Sequence, residues 1–278
     1  MKDLQEIPFI QENKAWYFFS VYYVRENWLE LIVQINQFYQ DRRDKFCACL
    51  ISFSDNKGEQ VEICLATSIL QENMKNEIEQ FFLPFVNDFP SVRKAIFPYG
   101  KVVWSDYPNN SLLWYRFRKM DLQDSYIYFH QSSFHFALSL IENDTSHDTL
   151  FSLCLYLIAK GLNCIETKNQ KSLLSDALYD TSIDFKNYGH INSVKILIDK
   201  HIDSHEIYSI LDSYWAEKES DFSPELKIWL TNTKEFIVNY SYTNFCSFIC
   251  TMFGLKGLHQ LMILELINTW FNNRQDEE

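Results

Sequence analysis

Residues 46–68, FCACLISFSDNKGEQVEICLATS, constrain the chain more than any other stretch, because two apolar runs flank a cluster of turn-forming residues. Ser54, Asp55, Asn56, Lys57 and Gly58 are the types that tight turns need, so the stretch predicts a β-hairpin. In the first arm Phe46, Ala48, Leu50 and Ser52 fall on one face, with Cys47, Cys49, Ile51 and Phe53 on the other. Both faces are mostly apolar, which predicts a central strand covered on two sides rather than an edge. In the second arm Val61, Ile63 and Leu65 alternate with Glu62, Cys64 and Ala66, and no arginine is present.

Upstream, Trp16–Tyr23 is a β-prone aromatic run. Leu29, Leu31, Ile32, Ile35, Phe38 and Tyr39 follow at helical spacing over Trp28–Tyr39. The opening therefore reads strand, helix, strand, strand. A second amphipathic helix is predicted over Ile69–Phe85, with Pro84 near its end, and then a loop or short strand over Phe89–Phe97. Lys101–Trp104 and Leu112–Phe117 are predicted strands around the turn Asp106, Tyr107, Pro108, Asn109, Asn110. From about Ser125 the pattern becomes helical: Ser132–Ile141, Asp148–Lys160, Ser172–Phe185, Ile191–Lys200, His205–Trp215, Glu225–Val238, Phe245–Phe253 and Leu258–Phe271. Ser223-Pro224-Glu225 joins an N-cap, a first-turn proline and an early acid. The expected fold is α+β, an N-terminal mixed or antiparallel sheet with packed helices followed by a mainly helical C-terminal half. Residues 1–120 are the sheet region with its hairpin and residues 121–278 the helical region, expected as one compact unit with a cleft between them.

Composition removes several function classes. Acidic residues number 37 against 25 basic, a net charge of -12, which opposes a phosphate-binding surface and so nucleic acid as a partner. Arg116, Arg118 and Lys119 are the densest basic cluster. Only six glycines occur in 278 residues, and no G-x-G-x-x-G or Walker loop can be written from them, which closes the common routes to NAD or ATP. No run of about 18 uncharged apolar residues spans a membrane. Residues 1–20 carry Asp3, Glu6 and Glu12 and do not resemble an export signal, so a cytoplasmic protein with reduced cysteines is expected.

Several phrases carry a family resemblance. They are Trp16-Tyr17-Phe18-Phe19 before Tyr22, the strand pair Phe46–Phe53 and Val61–Ala66, and Gln131-Ser132-Ser133-Phe134 followed by the apolar run Phe136–Ile141. In this order they resemble the C-terminal elimination domain of lantibiotic dehydratases, the thiopeptide-type bacteriocin biosynthesis domain. Eliminating members carry His-Leu-Arg-Leu-Arg-Phe on the second strand and a His with an Asn-Arg pair on a late helix. Here the strand is Val61-Glu62-Ile63-Cys64-Leu65-Ala66, and the late helix, Phe245–Phe253, has neither His nor Arg. The chain thus looks more like the free-standing pyridine synthases of thiopeptide biosynthesis. That resemblance implies a formal 4+2 cycloaddition of two dehydroalanines in one modified precursor peptide, closing a macrocycle with loss of water and leader. It implies no cofactor, an azole-bearing precursor peptide as substrate, and a dehydratase as a further partner.

By analogy with that late helix, Ser247 and Tyr242 are the candidate proton donors or shuttles, against the plainer use of satisfying backbone groups at a helix start. His190, beside Tyr188 and Gly189, has the pKa range of a general acid or base. Trp16, Tyr22 and Arg116 are the candidate substrate-binding residues. His201 and His205 share i, i+4 spacing but lack the intervening Glu of a zinc motif, and Ser204 reads as a cap between them, so no metal is expected. Cys246 and Cys250 read as a buried thiol pair, and Gly254–Gly257 as a helix-to-helix turn. Two alternatives stand beside the synthase: a non-catalytic leader-binding partner of a dehydratase, and the glutamate-elimination subunit of a split dehydratase. The last would need arginines such as Arg93 or Arg116 to replace those absent from the hairpin.

Overall fold

The computed structural model describes residues 8–92 except 12, 56, 69 and 72, then 107–115, 123–186 except 142 and 143, residue 198, and 204–277 except 256. The chain divides into two compact units, Met1–Phe134 with Ile141–Ser146, and His135–Leu140 with His147–Glu278.

The first unit is built on an antiparallel sheet of β1 (Phe9–Gln11), β2 (Lys14–Tyr22), β3 (Phe46–Ser54), β4 (Gln60–Thr67) and β5 (Ser111–Trp114). The strand order is β1-β2-β4-β3, with β5 pairing a later stretch of β2 than β1 does. Helices α1 (Trp28–Gln40) and α2 (Met74–Asp88) cover one face. There Trp28 stacks on Phe53 at 4.5 Å, Phe82 meets Phe19 at 5.5 Å, and Phe38 meets Phe82 at 5.4 Å. Pro84 lies inside α2, which continues to Asp88 because Phe82 and Val86, both 0% exposed, anchor the turns on either side. The strand, helix, strand, strand opening follows the sequence pattern, and the hairpin turns at Lys57 (φ 63°) and Gly58 (φ 124°).

Two expectations for the hairpin are corrected. Among the described residues β3 pairs with β4 alone, so it ends the strand order instead of lying centrally. Its two-sided burial comes from helices, with Trp28 of α1 on Phe53 and Ile127 of α3 (Asp124–Ser139) packed with Ala48 and Leu50. The register also slips between Phe46 and Ala48. The extra residue, Cys47, inverts the alternation and turns Phe46 toward Phe38 and Tyr39 of α1, away from the face of Ala48 and Leu50.

Helix α3 begins at Asp124, not at Ser132. Ser132, where the helix was expected to start, sits mid-helix with its hydroxyl donating to the Phe129 carbonyl at 3.1 Å. The second unit contains α4 (His147–Asn163), α5 (Thr167–Lys186), α6 (Ser204–Ala216), α7 (Pro224–Tyr240), α8 (Tyr242–Met252) and α9 (Leu258–Glu277). The Ser223 hydroxyl accepts from Leu226 N–H at 3.1 Å with Pro224 as the first helical residue, as expected. Helix α8 packs against α4, α5, α7 and α9, which its nearly all-round apolar sequence allows. The turn into α9 uses Gly254 (φ 72°) and Gly257 (φ 65°) around the buried Leu255. The predicted strand Lys101–Trp104 and, apart from Ile198, the predicted helix Ile191–Lys200 lie outside the described residues.

Candidate functional site

The sheet face that carries Trp16 and Tyr22 is divided in two by register. Directly paired residues of antiparallel strands present side chains to the same face, so four rungs run across β2, β4 and β3. Two are apolar, Trp16–Ala66–Ala48 and Phe18–Cys64–Leu50. Two are polar, Ser20–Glu62–Ser52 and Tyr22–Gln60–Ser54. Ile127 of α3 covers the apolar half.

The polar half holds one hydrogen-bonded chain and one separate pair. Tyr22 and Tyr115 hydroxyls meet at 2.9 Å, and Tyr115, just past β5, donates to Gln60 Oε1, so Tyr22 is the donor to Tyr115. Ser20 adjoins the same phenol, and Gln60 Nε2 lies 3.5 Å from Ser54 Oγ. On the other flank Ser52 Oγ lies 3.3 Å from His130 Nε2 of α3. Burial raises the Tyr22 and Tyr115 phenols above their ordinary range, and the Glu62 carboxylate adds to both shifts, so both stay protonated donors at neutral pH. Ser20, Tyr22, Ser54, Gln60 and His130 are buried, whereas Ser52, Glu62 and Tyr115 are half-buried. This half of the face therefore has a buried layer and three partly exposed groups.

Burial lowers the His130 pKa from 6.5 to about 4. The unfolded chain takes up this proton below pH 6.5, while the folded chain resists it until about pH 4. Stability should therefore fall as pH drops through that window, by up to roughly 3 kcal/mol from this group. Urea midpoints at pH 7 and pH 4.5 are expected to differ more for the parent than for His130→Gln. Equal differences would remove His130 as the source.

Trp16 is 1% exposed, and its indole Nε1 has no hydrogen-bond partner among the described residues. In the second unit, Tyr242 at the start of α8 is 1% exposed and its hydroxyl donates to the Ile158 carbonyl of α4 at 3.1 Å. Burial raises its phenol pKa well above the ordinary value. Ser247 is half-buried one turn on, in a stripe of hydroxyls at i, i+4 spacing with Thr243 and Thr251. His190 and Arg116, like Arg93 and Arg118, lie outside the described residues. The structure thus brings Trp16 and Tyr22 to one sheet face and Ser247 and Tyr242 to one helix.

Sequence reasoning did not single out Ser52, Gln60, Tyr115 or His130. Counting outward from the hairpin turn could have found the pairs Ser54–Gln60 and Ser52–Glu62. Tyr115 and His130 arrive from distant segments with no local signal. Cys154, Cys246 and Cys250 are buried free thiols. Among the described residues no group of three or more His, Cys, Asp or Glu is placed to hold a metal ion, and no helix is long and apolar enough to cross a membrane.

No protein-family model and no curated protein matches this sequence. A solved structure does: the pyridine synthase TbtD from thiomuracin biosynthesis, with a TM-score of 0.65 over 95% of this chain and 99% of that one. The fold is similar to that of this synthase. Sequence identity is 13%, so the likeness speaks for the chain's architecture, and chemistry has to be argued from the side chains.

Proposed function

We propose that the protein is a pyridine synthase of thiopeptide biosynthesis. It joins two dehydroalanines of a dehydrated, azole-bearing precursor peptide by a formal 4+2 cycloaddition, closes a macrocycle, and releases water and the leader peptide. The observation that carries this reading is the composition of β4 within this fold. Its polar face presents Glu62 between the hydroxyls of Ser20 and Ser52, and no guanidinium joins that face among the described residues. Expelling glutamate from a glutamylated side chain calls for cations. Cycloaddition calls for two alkenes held at contact distance and for weak acids and bases, which phenols, hydroxyls and a carboxylate supply.

Within this reading Arg116 binds the substrate, while Trp16 and Tyr22, expected to touch it, lie buried in the sheet face and act by supporting the exposed groups beside them. Ser247 donates a hydrogen bond to the reacting amide, His190 moves protons, and Tyr242 acts through α8, whose start it fixes to α4. The residues named need no cofactor.

The test is mass spectrometry after incubation with a leader-bearing peptide that carries two dehydroalanines. A leader carboxamide and a smaller cyclic product are expected. Binding without conversion would favour a non-catalytic leader-binding partner, and glutamate loss from a glutamylated peptide would favour an elimination subunit. Ser247→Ala is expected to lower turnover by about 100-fold without unfolding the chain. Unchanged turnover would remove Ser247 from the site.

A further inference from the structure

Resting on the proposed function, we infer that Glu62 is the proton-accepting catalytic residue of the reaction, with Ser52 and Tyr115 as the flanking groups that hold the substrate against it. Three observations meet at this residue.

The first is register. Glu62 occupies the middle strand of a polar rung, between Ser20 of β2 and Ser52 of β3, and the next rung, Tyr22–Gln60–Ser54, is polar throughout. A carboxylate in that position has hydrogen-bonding neighbours on both adjoining strands.

The second is the split in exposure. Ser20, Tyr22, Gln60, Ser54 and His130 are each 4% exposed or less, while Glu62, Ser52 and Tyr115 keep accessible surface. A folded core does not need four buried polar groups on one half of a sheet face whose other half is apolar, with a buried imidazole from α3 beside them. Such a layer is what fixes the rotamers of three groups presented to a ligand.

The third is the protonation pattern. The phenols of Tyr22 and Tyr115 are held protonated by burial and by the nearby Glu62 charge, and the His130 imidazole is held neutral by burial. The surrounding layer therefore consists of neutral donors. Among the described groups of this face, Glu62 is the carboxylate, the group type whose conjugate base can take a proton from a substrate.

The chemistry has a step that requires a base. After loss of water the six-membered ring has one CH2 left, next to the carbon that carries the C–N bond to the leader, and one of its two protons must go for the ring to become aromatic. The Glu62 carboxylate takes the ring proton, and the C–H electron pair becomes the last ring double bond. The C–N bond breaks toward nitrogen, and the carboxylic acid returns its proton to that nitrogen as the leader leaves as a carboxamide. Bond electrons and protons balance without oxidant or reductant, and Glu62 ends ionised as it began.

The experiment compares the parent with Glu62→Gln, Glu62→Asp and Glu62→Ala on the bis-dehydroalanine peptide, with peptide affinity measured separately by fluorescence anisotropy. Glu62→Gln should lower kcat by at least about 100-fold while affinity stays within about threefold. Glu62→Asp should recover part of the rate, and added formate should raise the rate of Glu62→Ala. Conversion by Glu62→Gln within about threefold of the parent, a fall in affinity that accounts for the loss of rate, or no response to formate would each overturn the assignment. A parent that binds the peptide without converting it would overturn the synthase reading, and this inference with it. Conversion by the parent with an indifferent Glu62→Gln would overturn the inference alone.

Discussion

Gly161→Ala is expected to destabilise the second unit by about 3 kcal/mol, at the upper end of what an overpacked core methyl costs. A Cβ at Gly161 would run into the Phe245 ring at Cε1 and lie 2.6 Å from Cζ, closer than van der Waals contact allows. Neither side can yield cheaply. Phe245 is 0% exposed, and its helix is tied to α4 by the Tyr242 hydrogen bond to the Ile158 carbonyl. Gly161 itself is helical, so the glycine is required by the close approach of two helices and not by its backbone angles. Urea unfolding with hydrogen exchange on peptides from α4 and α8 measures the effect. Pairing Gly161→Ala with Phe245→Leu should recover a large part of it, because the clash and its relief share one contact. A midpoint unchanged by Gly161→Ala would mean that the ring and helix separate more easily than the packing implies.

Trp28→Ala is expected to cost the first unit about 3–5 kcal/mol. The indole is 0% exposed and stacks on Phe53 at 4.5 Å. Its Nε1–H donates to the Tyr23 carbonyl at 2.8 Å, and the Arg25 guanidinium lies 4.8 Å above it. Truncation opens a ring-sized cavity between α1 and β3, leaves the Tyr23 carbonyl without this donor, and removes the cation–π face of a largely buried arginine. Trp28→Phe separates these contributions. It keeps a ring on Phe53 but not the N–H, so it should cost less than the alanine variant by well over 1 kcal/mol. Equal losses for the two variants would assign the effect to the hydrogen bond alone. Both variants should be compared by urea midpoint at pH 7, above the window in which His130 titrates.

Much of the architecture was legible because it rests on short-range patterns. The hairpin arms, the aromatic strand β2, helix α1 and the C-terminal helices follow from alternation, helical spacing and cap residues such as Ser223-Pro224. The misreadings have one cause, that neighbours in space override local signals. Apolar residues on both faces of β3 look the same whether strands or helices cover them. The Cys47 bulge has no mark in the residue types around it. Ser132, expected to open α3, lies inside it with its hydroxyl bonded back to the Phe129 carbonyl.

The candidate site divides along the same line. Glu62 in place of arginine, and the register that sets it opposite Ser52, can be read from the chain, because a hairpin turn fixes pairing by counting. Tertiary structure alone brings Tyr115 to Tyr22 and Gln60, and His130 to Ser52, and decides which of these groups keep contact with solvent. Local sequence sets backbone periodicity through sterics and hydrogen bonding between near neighbours. Burial, and with it the protonation of phenols and imidazole, depends on segments up to 93 residues apart meeting on one sheet face.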